Sequence, residues 1–172
     1  MALEPLWFAG NSPKKYEKLL VFDRDGTLNV DTGYTHKVEN LELTYFAKKL
    51  ISRQIFENVN VAVASNQSGI GRGLYSAQDF VKFTLTVLNR IQVPDNSIIG
   101  IAACSHKPSD FCRCRKPNTG MIELITSHHE TKRIIVIGNE PKDRLLAENS
   151  KLPYIDSNSE AAIEELLNWR NN

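Results

Sequence analysis

No apolar run in this sequence approaches the roughly 20 residues that cross a bilayer, so a membrane-spanning helix is not expected. There is no charge excess either. The 21 basic and 20 acidic residues leave a net charge of +1, which gives no reason to expect a nucleic-acid partner. Cysteine is scarce, at three residues in one short segment, an odd number that argues against a disulfide framework and for a metal site. Repeats and low-complexity stretches are missing, and Met1 to Gly10 carries Glu4 and Pro5 where a secretory signal would be basic and then apolar. A cytoplasmic protein is therefore expected. With 172 residues, 41% apolar and 24% charged, residues 1–172 are expected to form a single domain with one sizeable core, behind an irregular lead-in over residues 1–18.

What is present is organised around Val21-Phe22-Asp23-Arg24-Asp25-Gly26-Thr27-Leu28-Asn29. Leu19 to Phe22 is a short apolar run bounded by charge, suited to a strand buried on both faces of a parallel sheet. Asp23 then stands at the carboxyl end of that strand, where open parallel sheets place ligands. Two close carboxylates repel unless a cation lies between them or one is protonated, so Asp23 and Asp25 suggest Mg2+, an acid-base partnership, or both. A solvated turn is the ordinary alternative.

Further along, Leu43 to Phe56 has helical spacing, and Val59 to Ala64 is a second apolar strand that should end in the loop Ser65-Asn66-Gln67-Ser68-Gly69-Ile70-Gly71-Arg72-Gly73. Hydroxyls, amides and glycines at such a place let backbone N–H groups approach an anion. Ser76 to Asp79 reads as a capping box, with Tyr75 and Phe80 as its staple, opening a helix whose buried stripe holds Phe80, Val87, Leu88 and Ile91. Ser97 to Ala103 is a third strand, and Cys104, His106, Cys112 and Cys114 follow it directly. Three thiolates and one imidazole satisfy a tetrahedral Zn2+ with no open position, which describes a structural site; free buried thiols are the alternative. Arg115 and Lys116 come immediately behind the last cysteine, where such a site would fix their direction. Gly120 to Thr126 begins a helix, and Arg133 to Ile137 is a strand delivering Gly138-Asn139-Glu140-Pro141-Lys142-Asp143 to the same edge. A short helix through Glu148, an edge strand over Leu152 to Ile155, a capping box at Ser157 to Glu160 and an amphipathic helix over Ala161 to Trp169 complete the chain. His36, His128 and His129 match no site.

The Asp-x-Asp-x-Thr pattern after an apolar strand resembles the first motif of the haloacid dehalogenase superfamily, most of whose members are phosphohydrolases. The Cys-x-His and Cys-x-Cys pairs, Gly33-Tyr34, the Ser65 to Gly73 loop and the Arg115-Lys116-Pro117-Asn118-Thr119-Gly120-Met121 run narrow the resemblance to the zinc-containing heptose-bisphosphate and histidinol-phosphate phosphatases. This resemblance implies a Mg2+-dependent phosphatase of a small phosphorylated metabolite. It makes Asp23 the nucleophile, Asp25 the acid and base, Ser65 the phosphoryl-binding hydroxyl and Lys116 the third motif. It also implies substrate contacts from Asp31, Thr32, Gly33 and Tyr34, from Ser65, Asn66, Gln67 and Ser68, and from Arg115 and Lys116. The Gly-Tyr loop and the Arg-Lys-Pro run favour removal of the 7-phosphate of D-glycero-D-manno-heptose 1,7-bisphosphate, whereas the short gap between the cysteine pairs favours histidinol phosphate.

The pattern breaks in its fourth motif. The family has an acid at the place of Asn139, ligating Mg2+, and usually a basic residue at the place of Glu140. Asn139 would bring a carbonyl but no charge, and Asp143 could join Asp23, Asp25 and Asn139 around the ion. A phosphatase that needs more Mg2+ than its relatives is expected, with a non-hydrolysing binding protein as the alternative. The fold expected is α/β, a doubly wound parallel sheet with the Asp23 strand central, a zinc-binding loop and no cap domain.

Overall fold

A computed structural model of the chain describes residues 4–11, 13–51 and 54–172. Its elements in order are β1 (Leu6–Ala9), β2 (Lys18–Phe22), α1 (Tyr45–Ile51), β3 (Asn60–Asn66), α2 (Ser68–Gly71), α3 (Ala77–Arg90), β4 (Ile98–Cys104), α4 (Gly120–His128), β5 (Arg133–Gly138), α5 (Pro141–Asn149), β6 (Tyr154–Asp156) and α6 (Ala162–Asn171). The strands form one sheet in the order β1-β4-β3-β2-β5-β6, with β1 antiparallel to β4 and the other neighbours parallel. In β2, Val21 lies beside Ala62 of β3 and Val136 of β5. The strand carrying Asp23 is thus interior to the sheet, as its unbroken apolar run predicts.

Side-chain alternation along the strands builds two cores. Leu20 and Phe22 face one way with Val61 and Val63, against Phe46 and Leu50 of α1, Phe80, Phe83 and Leu88 of α3, and Leu166 of α6. Leu19, Val21, Ala62 and Ala64 face the other way, against Met121 and Ile125 of α4 and Leu146 of α5. Helices on both faces of a mostly parallel sheet make the architecture doubly wound. Burying a side chain such as Phe22, with 0% exposure, stabilises by about 1.5–3 kcal/mol. Among the described residues, no helix is long and apolar enough to cross a membrane.

The lead-in is not wholly irregular: Leu6 to Ala9 pairs with β4, Leu6 lying beside Ala103 and Ala9 beside Gly100. Ser65 and Asn66 belong to β3 rather than to the loop after it. The helix expected over residues 43–56 runs from Tyr45 to Ile51, started by Thr44, whose hydroxyl accepts from the N–H of Ala47 at 3.1 Å. Residues 54–58 form turns, and residues 52 and 53 lie outside the described residues. The capping box at Ser76 forms in full, Ser76 Oγ accepting from Asp79 N at 3.1 Å and Asp79 Oδ2 accepting from Ser76 N at 2.9 Å. The one expected at Ser157 does not. There the N–H of Ser157 still bonds to Gly138 O at 2.8 Å, extending the β5–β6 pairing, and α6 opens four residues later behind Ala161 without a side-chain cap.

Candidate active site

Asp23 leaves β2 with its N–H bonded to Ile137 O at 2.8 Å, so the sheet positions its backbone to the last residue. Only 6% exposed, its carboxylate accepts from Lys116 Nζ through Oδ1 at 2.6 Å. Lys116 Nζ donates equally to Asp143 Oδ1 at 2.7 Å. Burial alone would strip the charge from this ammonium, but the Asp23 and Asp143 carboxylates outweigh it and hold the lysine pKa above its ordinary value. For Asp23, burial pushes the carboxyl up to about 6, with Lys116 pulling down and Asp143 and Asp25 adding repulsion. Lys116 is itself set in place by Asn66, whose amide accepts from Lys116 N at 3.0 Å and donates to Lys116 O at 3.3 Å.

Asp25 is surrounded by donors. Arg24 donates to it in a fork, Nη2 reaching Oδ1 at 2.8 Å and Oδ2 at 2.9 Å; Asn29 Nδ2 reaches Oδ1 at 3.0 Å, and Gln67 Nε2 reaches Oδ2 at 2.7 Å. Gln67 also donates to Ser65 Oγ at 2.8 Å and accepts from the Tyr75 hydroxyl at 2.5 Å. A single amide therefore ties the hydroxyl at the end of β3 to the second carboxylate of the first loop. Gly26, at φ +82°, makes the turn after Asp25 in a conformation that side chains rarely adopt.

In the fourth loop, Asp143 is fully buried and both its oxygens are engaged, Oδ1 by Lys116 and Oδ2 by the N–H groups of Asn139 at 3.2 Å and Glu140 at 3.1 Å. A Cβ on Gly138 would lie 2.4 Å from the Asp143 Cβ, so this approach requires glycine. Asn139 reaches across to the first loop, its Oδ1 accepting from Thr27 Oγ1 at 3.1 Å.

A cleft of about 140 Å3 opens over these groups, lined by Asp23, Asp25, Ser65, Gln67 and Ser68, with Asp31, Tyr34, Asn66, Tyr75, Glu140 and Lys142 around it. Thr32, Gly33 and Arg115, expected to touch substrate, are not among the lining residues. Thr32 is bonded through its N–H and hydroxyl to Thr35 Oγ1, the N–H of Gly33 caps Asp31 at 2.8 Å, and Arg115 Nη1 is spent on His106 O at 3.1 Å. Lys116, Asn139 and Asp143 are not among the lining residues either; Lys116 bonds to Asp23, Asp143 to the N–H of Glu140, and Asn139 to Thr27.

Two participants are missing from the sequence expectations. Arg24 is fully buried between the rings of Phe80 and Phe83, 4.9 and 4.8 Å from their centroids, and also donates to Thr35 O at 2.7 Å. Its position between two acids is the signal that could have found it. Tyr75, expected only as a helix staple, holds Gln67 through its hydroxyl and stacks its ring on His36 at 4.7 Å.

Two groups could hold metal. At the base of the cleft and just behind it, three carboxylates (Asp23, Asp25, Asp143) face two cations (Lys116, Arg24), and Asp23 Oδ2 accepts no hydrogen bond from the described residues. That surplus of negative charge fits a hard divalent cation on the carboxylate side, while Asn139 offers only a neutral oxygen. Behind it, the ligand atoms of Cys104, His106, Cys112 and Cys114 all lie within 4.8 Å of one another. The sulfur separations of Cys112 from Cys104 and Cys114, 3.5 and 3.6 Å, approach the edge of about 3.8 Å that a tetrahedron with 2.3 Å metal–sulfur bonds requires. Among these thiols Cys104 is pulled down to about 5 by S–H donation from Cys114, and Cys114 is pushed up by the same contact.

The family model described as polynucleotide kinase 3 phosphatase matches residues 18–153. A Thermoplasma volcanium protein named as a probable D-glycero-D-manno-heptose-1,7-bisphosphate 7-phosphatase is 34% identical over 140 residues, covering 80% of this chain and 96% of that protein. The Helicobacter pylori D-glycero-beta-D-manno-heptose-1,7-bisphosphate 7-phosphatase is 31% identical over 138 residues, covering 78% of this chain and 79% of that protein. In fold, the chain is similar to the crystal structure of D,D-heptose 1,7-bisphosphate phosphatase from B. bronchiseptica complexed with magnesium and phosphate, with a TM-score of 0.68, 24% identity and 86% of each chain covered. The matched region contains the cleft loops after β2, β3 and β5, the cysteine cluster and Lys116, and on that ground the chain belongs to the haloacid-dehalogenase-like phosphatases.

Proposed function

We propose that the protein hydrolyses the 7-phosphate of D-glycero-D-manno-heptose 1,7-bisphosphate through a phosphorylated Asp23. The observation that carries this reading is the Asp23–Lys116–Asp143 chain, with contacts of 2.6 and 2.7 Å, set beneath a cleft whose other wall joins Ser65 to Asp25 through Gln67. The names of the relatives support the sugar.

In the first step an Asp23 carboxylate oxygen attacks phosphorus, the bond to the sugar oxygen breaks, and Asp25 gives that oxygen a proton. In the second, Asp25 takes a proton from water as the water oxygen attacks the same phosphorus, releasing phosphate and restoring Asp23. Ser65 Oγ, held by the amide of Gln67, orients the phosphoryl group; the Lys116 ammonium offsets its charge. Asp23, Asp25 and Asn139 are the residues that would hold Mg2+, which supplies further charge neutralisation when bound. The cysteine cluster would hold a structural Zn2+ that fixes the direction of the segment leading to Lys116.

One observation favours a binding protein without turnover: Asn139 is neutral, and its carbonyl oxygen already accepts a hydrogen bond from Thr27. Phosphate release from heptose 1,7-bisphosphate, histidinol phosphate and other sugar phosphates, with Asp23→Asn as control, separates the readings. Equal release by both proteins, or none from any substrate, defeats the hydrolytic reading.

A further inference from the structure

A bisphosphate brings a second dianion into the cleft, and most of the nearby cations cannot receive it. Lys116 is buried on Asp23 and Asp143, Arg24 is buried and forked on Asp25, and Arg115, bonded through Nη1 to the His106 carbonyl, does not line the cleft. Among the described residues, Lys142 is the one basic side chain lining the cleft. It stands on the first turn of α5, and its Nζ lies 2.6 Å from Glu140 Oε2, with the two side chains 35% and 43% exposed.

We infer that Lys142 is the specificity-determining residue that takes the substrate's second phosphate, and that Glu140 holds its ammonium until that phosphate arrives. This rests on the phosphatase reading above. Half-exposed pairs of this kind are weakly held, because water screens them and two long side chains must be ordered. A phosphate near −2 charge is a stronger partner for the ammonium than one carboxylate. The exchange needs only side-chain motion: the lysine stem has four rotatable bonds, and Pro141 fixes the backbone at the start of α5. Once released, Glu140 stands in the same cleft as the new dianion and repels it. It therefore acts against bisphosphates, and Lys142 acts for them.

The measurement is the ratio of kcat/KM for heptose 1,7-bisphosphate to kcat/KM for heptose 7-phosphate, two substrates that share the scissile bond and differ only in the second phosphate. Lys142→Gln should lower this ratio about tenfold, the loss of one charge-assisted contact, with the change falling in KM. Lys142→Arg should restore most of it, and Glu140→Gln should raise it above the unsubstituted protein. A ratio that Lys142→Gln leaves unchanged, or that Lys142→Arg fails to recover, overturns the assignment. If the unsubstituted protein releases no phosphate from either sugar, the hydrolytic reading fails separately. The ratio of calorimetric dissociation constants for the two sugars, with and without Lys142→Gln, then decides the role of Lys142 in the same way.

Discussion

The chain carries two clusters of ligand-type side chains only two residues apart at their closest, since Cys114 ends one and Lys116 belongs to the other. The carboxylate cluster contains its own countercharges: Lys116 bridges Asp23 and Asp143, and Arg24 forks onto Asp25. The thiol cluster is made of three cysteines and a histidine whose side chains bond to one another at 3.1 to 3.6 Å, with no lysine or arginine among its ligands. A site with internal cations can fold before its metal arrives, and a site of converging thiols depends on the metal for its shape. The first metal should therefore matter for turnover and the second for folding.

The largest effect expected is on chemistry. Asp23→Asn should lower phosphate release on the order of 10^4-fold, read from initial rates with heptose 1,7-bisphosphate, because the amide cannot form the phosphoryl intermediate. Next is Lys116→Met, which leaves two buried carboxylates 2.6 and 2.7 Å from where the ammonium stood. Its cost should be about 3–5 kcal/mol in urea unfolding. A value near zero would mean that the carboxylate cluster does not depend on its internal cation.

Third, stripping metal from the cysteine cluster with a chelator, or replacing Cys104 with serine, should lower the melting temperature by roughly 10 °C, whereas omitting Mg2+ should shift it by about 1–2 °C. Equal shifts would erase the contrast between the clusters. The smallest effect is the most specific: Asn139→Asp should reduce the Mg2+ needed for half-maximal activity about tenfold, by adding a charged oxygen next to the loop that carries Asp25 and Thr27. Activity that already saturates at micromolar Mg2+ without the substitution would show that the neutral amide is no handicap.

Sequence patterns foretell the interior of the sheet well, because strands buried on both faces leave uninterrupted apolar runs such as Leu19 to Phe22 and Ile134 to Ile137. They are silent on β1. Its four residues lie between Pro5 and Gly10, and it is a strand only because β4 is there to pair with it, with Trp7 lying over Gly100. The two Ser-x-x-acid stretches show the same limit, since Ser76 has a helix to open whereas Ser157 is still engaged with the sheet.

Of the site, what is legible lies close together in sequence: the Asp23 and Asp25 pair, Ser65 at a strand end, and the cysteine cluster. What is not legible is tertiary. Arg24 is buried by rings more than fifty residues away, and Asp143 owes its engagement to Lys116, 27 residues earlier. Arg115 has the forked geometry that suits a phosphate, but its Nη1 turns to the carbonyl of His106 and the residue does not line the cleft. Lys142 carries no local signal, since nothing nearby in the chain distinguishes it from an ordinary surface lysine.

The two outer strands are the shortest in the sheet: β1 has four residues and β6 has three. An unpaired flank that brief offers a foreign polypeptide too few amide and carbonyl groups to template on, so the apolar middle of the sheet is guarded against fibril-like stacking. Lengthening either flank with alternating valine and threonine would remove that guard and should make the protein prone to precipitate, even with its catalytic loops intact.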